Sequence, residues 1–324
     1  MRALPWLLLC VAACSQPARP EYRFEAVTHA DGRFVAVGHH AVTDATGAGL
    51  IATSVDGAAW TVTDLPGDHE LYGVAHGDGR WVAVGGEVGD FGFARPTVVI
   101  SDDGVAWRGA PAVPVGATYL STLAHGNGVF MTADGRSGRL HRSLQGENWG
   151  GVELPAGLWW SPGVDFVGDR FIAYGDGPAV AESSDGATWG VADLGVTSVS
   201  RVIAHGGRAL GLATYDCCFG EVPEAIEGIV LDGPEAWTAR VRPGERLHDV
   251  AFVDGAVIGA GARVLVRGPD VGSAVDWALA PVVDDVGVHA LATAGSTVVA
   301  VGDGILASHD AGLTWTTIEL PGAR

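Results

Sequence analysis

One recurring position of the chain carries side chains that could orient a ligand. It lies two residues before an aliphatic residue that returns in each repeat of the sequence. Most of its occupants are polar, whereas the neighbouring positions are mostly small or aliphatic. The occupants are Glu25, Tyr72, Ser121, Pro162, Arg201, His248 and His289. Varied polar groups around a concave opening can fix the orientation of a ligand. The alternative is that these side chains only face water.

Two further histidines, His39 and His40, stand in a long connection together with Asp44. With His248 and His289 they include the nitrogen and oxygen donors that zinc binds. The spacing does not show that loop and strand residues converge, and adjacent histidines often bind nothing. We therefore predict no metal site and no cofactor, and we keep metal or cofactor binding at the histidine and cysteine loops as an alternative.

Two pairs of adjacent residues also bear on function. Trp159 and Trp160 would form either an exposed aromatic platform for a sugar or a peptide, or a packing anchor. Cys217 and Cys218 would form a vicinal disulfide in an oxidising compartment. Such a bond is strained, because neighbouring Cα atoms lie about 3.8 Å apart and disulfides usually span roughly 4.4–6.8 Å. Free thiols, or a metal or intermolecular link, are the alternatives.

The elements that must position these residues repeat with a tryptophan. It occurs at Trp60, Trp107, Trp149, Trp189, Trp237, Trp277 and Trp315, at spacings of 38 to 48 residues. A period in this range, built of strand-like segments, predicts blades arranged around an axis. Each repeat starts with two apolar runs split by a Gly-rich turn, as in residues 73–85, and continues with two more strands. We name these strands A to D from the axis outward.

Most of the tryptophans close a short polar turn, as in Ser54-Val-Asp56-Gly57-Ala-Ala-Trp60. Ser and Asp side chains can hydrogen-bond the backbone of a tight turn, Gly supplies a positive φ, and the Trp packs beneath. The motif is therefore predicted to be structural. Complete copies span 54–60, 101–107, 183–189 and 308–315, and the copies before Trp149, Trp237 and Trp277 are degenerate. His29, His76, His125 and His205 share one A-to-B turn position and are also predicted to be structural.

These motifs resemble those of the Asp-box, or BNR-repeat, β-propellers, the superfamily that includes sialidases, some xyloglucanases and photosystem II assembly-factor-like proteins. The resemblance covers residues 21–324 and implies an all-β fold, a seven-bladed β-propeller with four antiparallel strands per blade. The seven repeats span about 21–66, 67–115, 116–156, 157–195, 196–243, 244–283 and 284–324. The motif defines the blade and leaves the activity open. Sialidases begin with Phe/Tyr-Arg-Ile-Pro, of which residues 22–25 keep only Tyr-Arg.

The start of the chain predicts export and a lipid anchor. Residues 1–13 combine a charged start with an apolar run too short to span a bilayer, which is typical of a signal peptide. Val11-Ala-Ala-Cys14 resembles a bacterial lipobox, which implies lipidation of Cys14 and a tether over residues 14–20. The expected location is the cell envelope, and the outer membrane in a Gram-negative cell. An ordinary signal peptide cleaved elsewhere is the alternative.

Charge and motifs together narrow the function. The formal net charge of −19 excludes nucleic acid as a partner, because duplex binding depends on a basic surface. No complete catalytic signature is present, and we assign no catalytic residue. We predict a non-catalytic envelope lipoprotein whose loop face binds a protein or a glycan. The alternative is a glycan-acting hydrolase, which would need two carboxyl groups in one open pocket, drawn from Glu25, Asp44, Glu87, Asp90 and Asp249.

Overall fold

The computed structural model of the chain describes residues 22–40, 48–89, 92–154, 160–177, 179–193, 198–205, 208–214, 228–232, 238–242, 247–261, 263–270, 279–284 and 286–320. The signal peptide, Cys14, Asp44, Asp90, Trp159, Cys217, Cys218, Trp237 and Trp277 lie outside these ranges. Trp160, Pro162 and His205 are described by their backbone alone. In the described ranges every regular element is a β-strand. They contain no helix long and apolar enough to cross a membrane.

The strands form five antiparallel sheets in chain order. The first sheet has seven strands: β1 (Tyr22–Ala30), β2 (Arg33–His40), β3 (Ala48–Ser54), β4 (Thr61–Gly77), β5 (Arg80–Gly89), β6 (Gly92–Ser101) and β7 (Arg108–Gly109). The second sheet has four: β8 (Leu120–Gly126), β9 (Val129–Asp134), β10 (Leu140–Ser143) and β11 (Gly150–Val152).

The third sheet has eight strands: β12 (Trp160–Val167), β13 (Arg170–Asp176), β14 (Ala179–Ser183), β15 (Gly190–Asp193), β16 (Ser198–His205), β17 (Arg208–Thr214), β18 (Gly228–Asp232) and β19 (Thr238–Arg242). The fourth has β20 (Leu247–Val253), β21 (Ala256–Gly261), β22 (Val264–Pro269) and β23 (Ala280–Asp284). The fifth has β24 (Val288–Ala294), β25 (Thr297–Gly302), β26 (Gly304–Ser308) and β27 (Thr316–Ile318).

The hydrogen bonding differs from the predicted seven separate sheets. Three sheets have four strands each, and the other two each combine two repeats. The first two repeats are joined because β4 is one continuous strand. Its part up to Asp68 pairs with β3, and its part from His69 onward pairs with β5. In the third sheet the junction is a single pair, Asp176 with Ser198. The sheets form the ring of a β-propeller.

The core lies between neighbouring repeats, and one part of it closes the ring. Phe24, Phe34 and Trp60 of the first repeat pack with Val299 and Ile305 of the last repeat in one buried cluster. No strand of the last sheet pairs with the first among the described residues, so face packing joins the chain ends there. Burial of large apolar side chains stabilises such a contact by roughly 1.5–3 kcal/mol each.

The polar turns fold as the sequence predicts. In the first copy, the amide of Gly57 donates to Ser54 Oγ over 2.8 Å, and the amides of Ala58 and Ala59 donate to Asp56 Oδ1 over 2.8 and 2.9 Å. Trp60 Nε1 donates to the Gly57 carbonyl oxygen over 2.9 Å. Gly57 has a φ of +77°, a value that glycine adopts without a steric penalty.

Each polar turn that the structure describes also rests on the neighbouring repeat. A Cβ at Gly57 would lie 3.2 Å from Val299, and one at Gly186 would lie 2.8 Å from Met131. Between repeats 2 and 3, Arg80 of an A-to-B turn pairs with Glu147 of a polar turn over 2.9 Å. The A-to-B turns and the polar turns therefore share one face of the ring, which we call the turn face.

Candidate functional site

Every A strand is interrupted by a β-bulge at the same place, near the end that lies away from the turn face. We call this end the channel mouth. The residues in the bulges are Glu25, Tyr72, Ser121, Ser161 with Pro162, Ser200, His248 and His289. A bulge increases the local twist and re-aims a side chain, and bulges are common beside binding sites. In six of the seven repeats the predicted ligand position is thus the bulge position.

Repeat 5 is the exception, and it corrects the prediction for Arg201. Its bulge lies at Ser200, which moves Arg201 one residue toward the turn face. The shift follows from the strand pairing. His205 is the last paired residue of its A strand, whereas in the first repeat the last paired residue is Ala30 and His29 stands one residue before it. The alignment of His205 with His29 is therefore wrong by one residue.

The mouth brings predicted residues from repeats 7, 1 and 2 together. We define the mouth cluster as Arg23, Glu25, His39, Glu70, Tyr72 and His289. Glu25 accepts from Arg23 Nε over 2.7 Å, and its other carboxylate oxygen lies 3.0 Å from His289 Nδ1. The same His289 nitrogen lies 3.0 Å from the Phe24 carbonyl oxygen. Tyr72 donates its hydroxyl hydrogen to Glu70.

Electrostatics fix the charge states in the mouth cluster. Burial alone would raise the pKa of Glu25, but the hydrogen bonds and charges of His289 and Arg23 lower that pKa to about 2. The hydrogen bond to Glu25 raises the pKa of His289 above its usual value, against the effect of burial. Burial lowers the pKa of His39. Near neutral pH, Glu25 is therefore an anion, and His39 is neutral.

An aromatic cluster adjoins the mouth cluster at Tyr72. We define the aromatic patch as Tyr72, Phe93 and Tyr119, three half-buried residues of repeats 2 and 3. The rings of Phe93 and Tyr119 stack at 4.5 Å between centroids, and Tyr72 lies 5.9 and 5.8 Å from them. Gly86 permits this arrangement, because a Cβ there would lie 2.6 Å from Phe93 and 2.7 Å from Tyr119.

Arg201 belongs to a separate charged cluster between the A strands of repeats 4 to 6. Arg201 Nη1 lies 3.0 Å from Asp165, and Arg201 Nε lies 3.3 Å from Asp249. Tyr174 donates to Asp165 over 2.6 Å. Asp249 is 4% exposed and also accepts from the amide of Leu291 in the next A strand over 2.8 Å. The two carboxylates keep the pKa of Arg201 well above its usual value.

The remaining predicted residues lie apart from these clusters. His40 Nε2 lies 2.8 Å from Asp64, beside the ring of Tyr22. His248 is exposed, and Ser121 donates to the Ala133 carbonyl oxygen over 3.3 Å. No group of three metal-ligating side chains occurs within the part of the chain that the structure describes.

The residues that sequence reasoning missed follow a simple rule. Arg23 and Glu70 each stand two residues before a bulge residue that they contact, namely Glu25 and Tyr72. Tyr119 stands two residues before Ser121. Alternate strand residues share one face, so a search for polar or aromatic residues at this second position would have found all three. Asp165, which pairs with Arg201, carries no comparable signal.

No protein-family model matches the chain, and no curated protein matches it in sequence. Solved structures match it in fold. A structure of YCF48 bound to D1 peptide has a TM-score of 0.62 at 16% identity, with 89% of this chain and 91% of that chain covered. The virginiamycin B lyase from Staphylococcus aureus has a TM-score of 0.64 at 12% identity, with 87% and 92% covered.

A third neighbour is the WD40 β-propeller domain of Doa1, with a TM-score of 0.60 at 9% identity and coverage of 87% and 90%. Identities this low show a shared fold alone. The chain is therefore a β-propeller, and the likeness does not extend to an activity.

Proposed function

We propose that this chain is a non-catalytic binding propeller of the bacterial cell envelope that holds a segment of a partner protein at its channel mouth. The mouth cluster is the observation that carries the proposal. It gathers donors, acceptors and opposite charges from three repeats, and half of its members sit in the bulges that interrupt the A strands. Bulges that converge on one opening are typical of a binding site.

A binding role accounts for the carboxylates better than hydrolysis does. A glycosidase needs a carboxylic acid with a raised pKa and a second free carboxylate. Here Glu25 has a pKa lowered to about 2, and Glu87 is paired with Arg95. Burial raises the pKa of Asp249, but this side chain is 4% exposed, pairs with Arg201 and accepts from the amide of Leu291, so it does not face an open pocket.

A protein partner is favoured over a glycan by a neighbour of the same fold. One solved propeller of this shape, YCF48, is bound to D1 peptide, which shows that such a ring can hold a peptide. In this chain the mouth offers half-buried Glu25, Tyr72 and His289, which could pair with the backbone and side chains of an extended segment.

We further propose that the ring has seven blades of the Asp-box type. The two large sheets support this count, because each contains two consecutive sets of A to D strands joined at one strand or one residue pair. Four complete Ser-x-Asp turns with the same hydrogen bonds support the Asp-box assignment.

The lipid anchor is part of the proposal and has its own test. Cys14 follows a lipobox-like segment, and lipidation stabilises membrane attachment by about 0.8 kcal/mol per buried methylene. A Cys14→Ser variant should move from the membrane fraction to the soluble fraction of the envelope. If it still fractionates with membranes, the anchor is refuted.

Site-specific cross-linking tests the binding function. A photo-crosslinking amino acid is placed at Arg23, which is 46% exposed in the mouth, or at Val55, which is 66% exposed on the turn face. A cross-link to one protein from position 23 and none from position 55 is expected in intact envelopes. Equal cross-linking from both positions, or none from either, would contradict partner binding at the mouth. A cross-link to glycan alone would contradict a protein partner and indicate a glycan partner.

A further inference from the structure

We propose that the aromatic patch of Tyr72, Phe93 and Tyr119 is a binding site for a cationic side chain, preferentially an arginine, of the partner segment. The inference rests on the proposed function and adds the chemistry of the partner. The patch lies at the edge of the mouth cluster, because Tyr72 belongs to both. A partner segment bound in the mouth would therefore run over it.

The first argument is the geometry of the rings. All three centroids lie within 5.9 Å of one another, and each ring is half-buried, so the patch is a rigid surface that stays partly open to solvent. Stacking holds Phe93 against Tyr119, and the close approach to Gly86 leaves little room for either ring to move inward. The faces of aromatic rings attract cations, and a planar guanidinium can stack on them.

The second argument is charge. Glu70 accepts the hydrogen bond of Tyr72, and Asp134 acts on Tyr119 together with burial to raise the pKa of that phenol. The formal net charge of −19 attracts cations to the surface as a whole.

The competing ligands fit the patch less well. A sugar would need paired hydrogen-bonding groups around the rings, and the nearby Tyr72 and Tyr119 hydroxyls are already bonded to Glu70 and to the Gly135 carbonyl oxygen. An acidic segment would meet a like charge at Glu70. A cation requires the ring faces and nearby carboxylates, and Glu70 and Asp134 supply the carboxylates.

The test uses the full chain, purified in detergent, and two short peptides. The probe is acetyl-Gly-Ser-Arg-Ser-Gly-amide, and its control carries citrulline, which has the shape of arginine without the charge. Isothermal titration should give an affinity about two- to thirtyfold higher for the arginine peptide, the range expected for a cation over aromatic rings. A lysine peptide should fall between the two.

Substitutions then assign the preference to the patch. Phe93→Leu and Tyr119→Leu keep apolar volume and remove the ring, so both should bring the arginine and citrulline peptides to equal affinity. Glu70→Gln keeps an acceptor for Tyr72 but removes a negative charge. It should therefore reduce the difference in affinity between the arginine and citrulline peptides. The matched control is Phe166→Leu, which alters another aromatic contact, that of half-buried Phe166 with buried Phe171, and should leave the preference unchanged.

Equal binding of both peptides to the unmodified chain would overturn the inference, as would a preference that survives Phe93→Leu and Tyr119→Leu. The citrulline comparison leaves the protein unaltered, so a variant that fails to fold does not obscure the result. If the cross-link from position 23 persists while the arginine preference is missing, the inference fails and the proposed function stands. If that cross-link is missing, the proposed function fails whatever the peptides do.

Discussion

The two ends of the A strands differ in which features recur from repeat to repeat. At the turn face, one hydrogen bond recurs in every complete copy: the amides of Gly57, Gly104, Gly186 and Gly312 each donate to a serine hydroxyl. At the mouth, the bulge recurs, but the residue in it changes from Glu25 to Tyr72 to His289. The backbone is repeated at both ends, and the side chains are repeated at only one.

This contrast separates stability from recognition. A repeated turn must satisfy the same buried amides in every copy, so its side chains have little freedom to differ. A bulge is formed by the backbone alone, so the side chain at that position is free to differ between repeats. Loops and strand ends can therefore carry function while the scaffold stays constant.

Arg201 gives the strongest test of the separation between stability and recognition. It lies near the mouth, where residues vary between repeats, but its side chain belongs to an ion-pair cluster. Arg201→Met leaves Asp165 and Asp249 without their cation, and Asp249 is 4% exposed. Removing one partner of a buried pair costs about 3–5 kcal/mol. We expect about 3 kcal/mol in urea unfolding, near the lower end, because Arg201 is itself 36% exposed.

The matched control is Arg95→Met. Arg95 pairs with Glu87 and is 71% exposed, so its loss should change the free energy of unfolding far less than the loss of Arg201 does. If both variants lose the same stability, Arg201 is an ordinary surface residue, and the separation of a structural cluster from the mouth cluster is mistaken.

The turn face gives the second prediction, which sharpens the comparison within one motif. Ser54→Ala leaves the buried amide of Gly57 without its acceptor, and an unsatisfied buried donor costs about 1–2 kcal/mol. In the degenerate copy, Ser143 accepts a single longer bond, 3.4 Å from the amide of Gln145. Ser143→Ala should therefore cost less than half as much in the same urea experiment. Equal losses would mean that the complete copies are not the stabilising ones.

The same contrast explains how much the sequence can predict. Turn chemistry is local, so Ser54, Asp56 and Trp60 specify their own hydrogen bonds over seven residues, and the repeat of strands follows. The mouth depends on contacts between repeats. Glu25 and His289 are 264 positions apart, and only closure of the ring brings them within 3.0 Å. A one-residue offset at a hairpin turn was enough to misplace Arg201, because alternation along a strand changes with each residue.

The smallest expected effect is the pH dependence of the seam where the chain ends meet. His289 joins β24 to Glu25 and to the Phe24 carbonyl oxygen of β1. Since its pKa is raised in the folded state, its stabilising contribution is fully present below its unfolded value of 6.5 and is lost as the pH rises through the higher folded value. The difference in unfolding free energy between the unmodified chain and His289→Gln should therefore shrink as the pH rises from 6 through the folded-state pKa of His289. His39→Gln is the matched control with the opposite sign. Burial lowers the pKa of His39, so lowering the pH through 6.5 should destabilise the unmodified chain relative to that variant. A difference that stays constant for His289 over this range would show that the seam is held by the apolar contacts of Phe24 and Trp60, with no contribution from its charge.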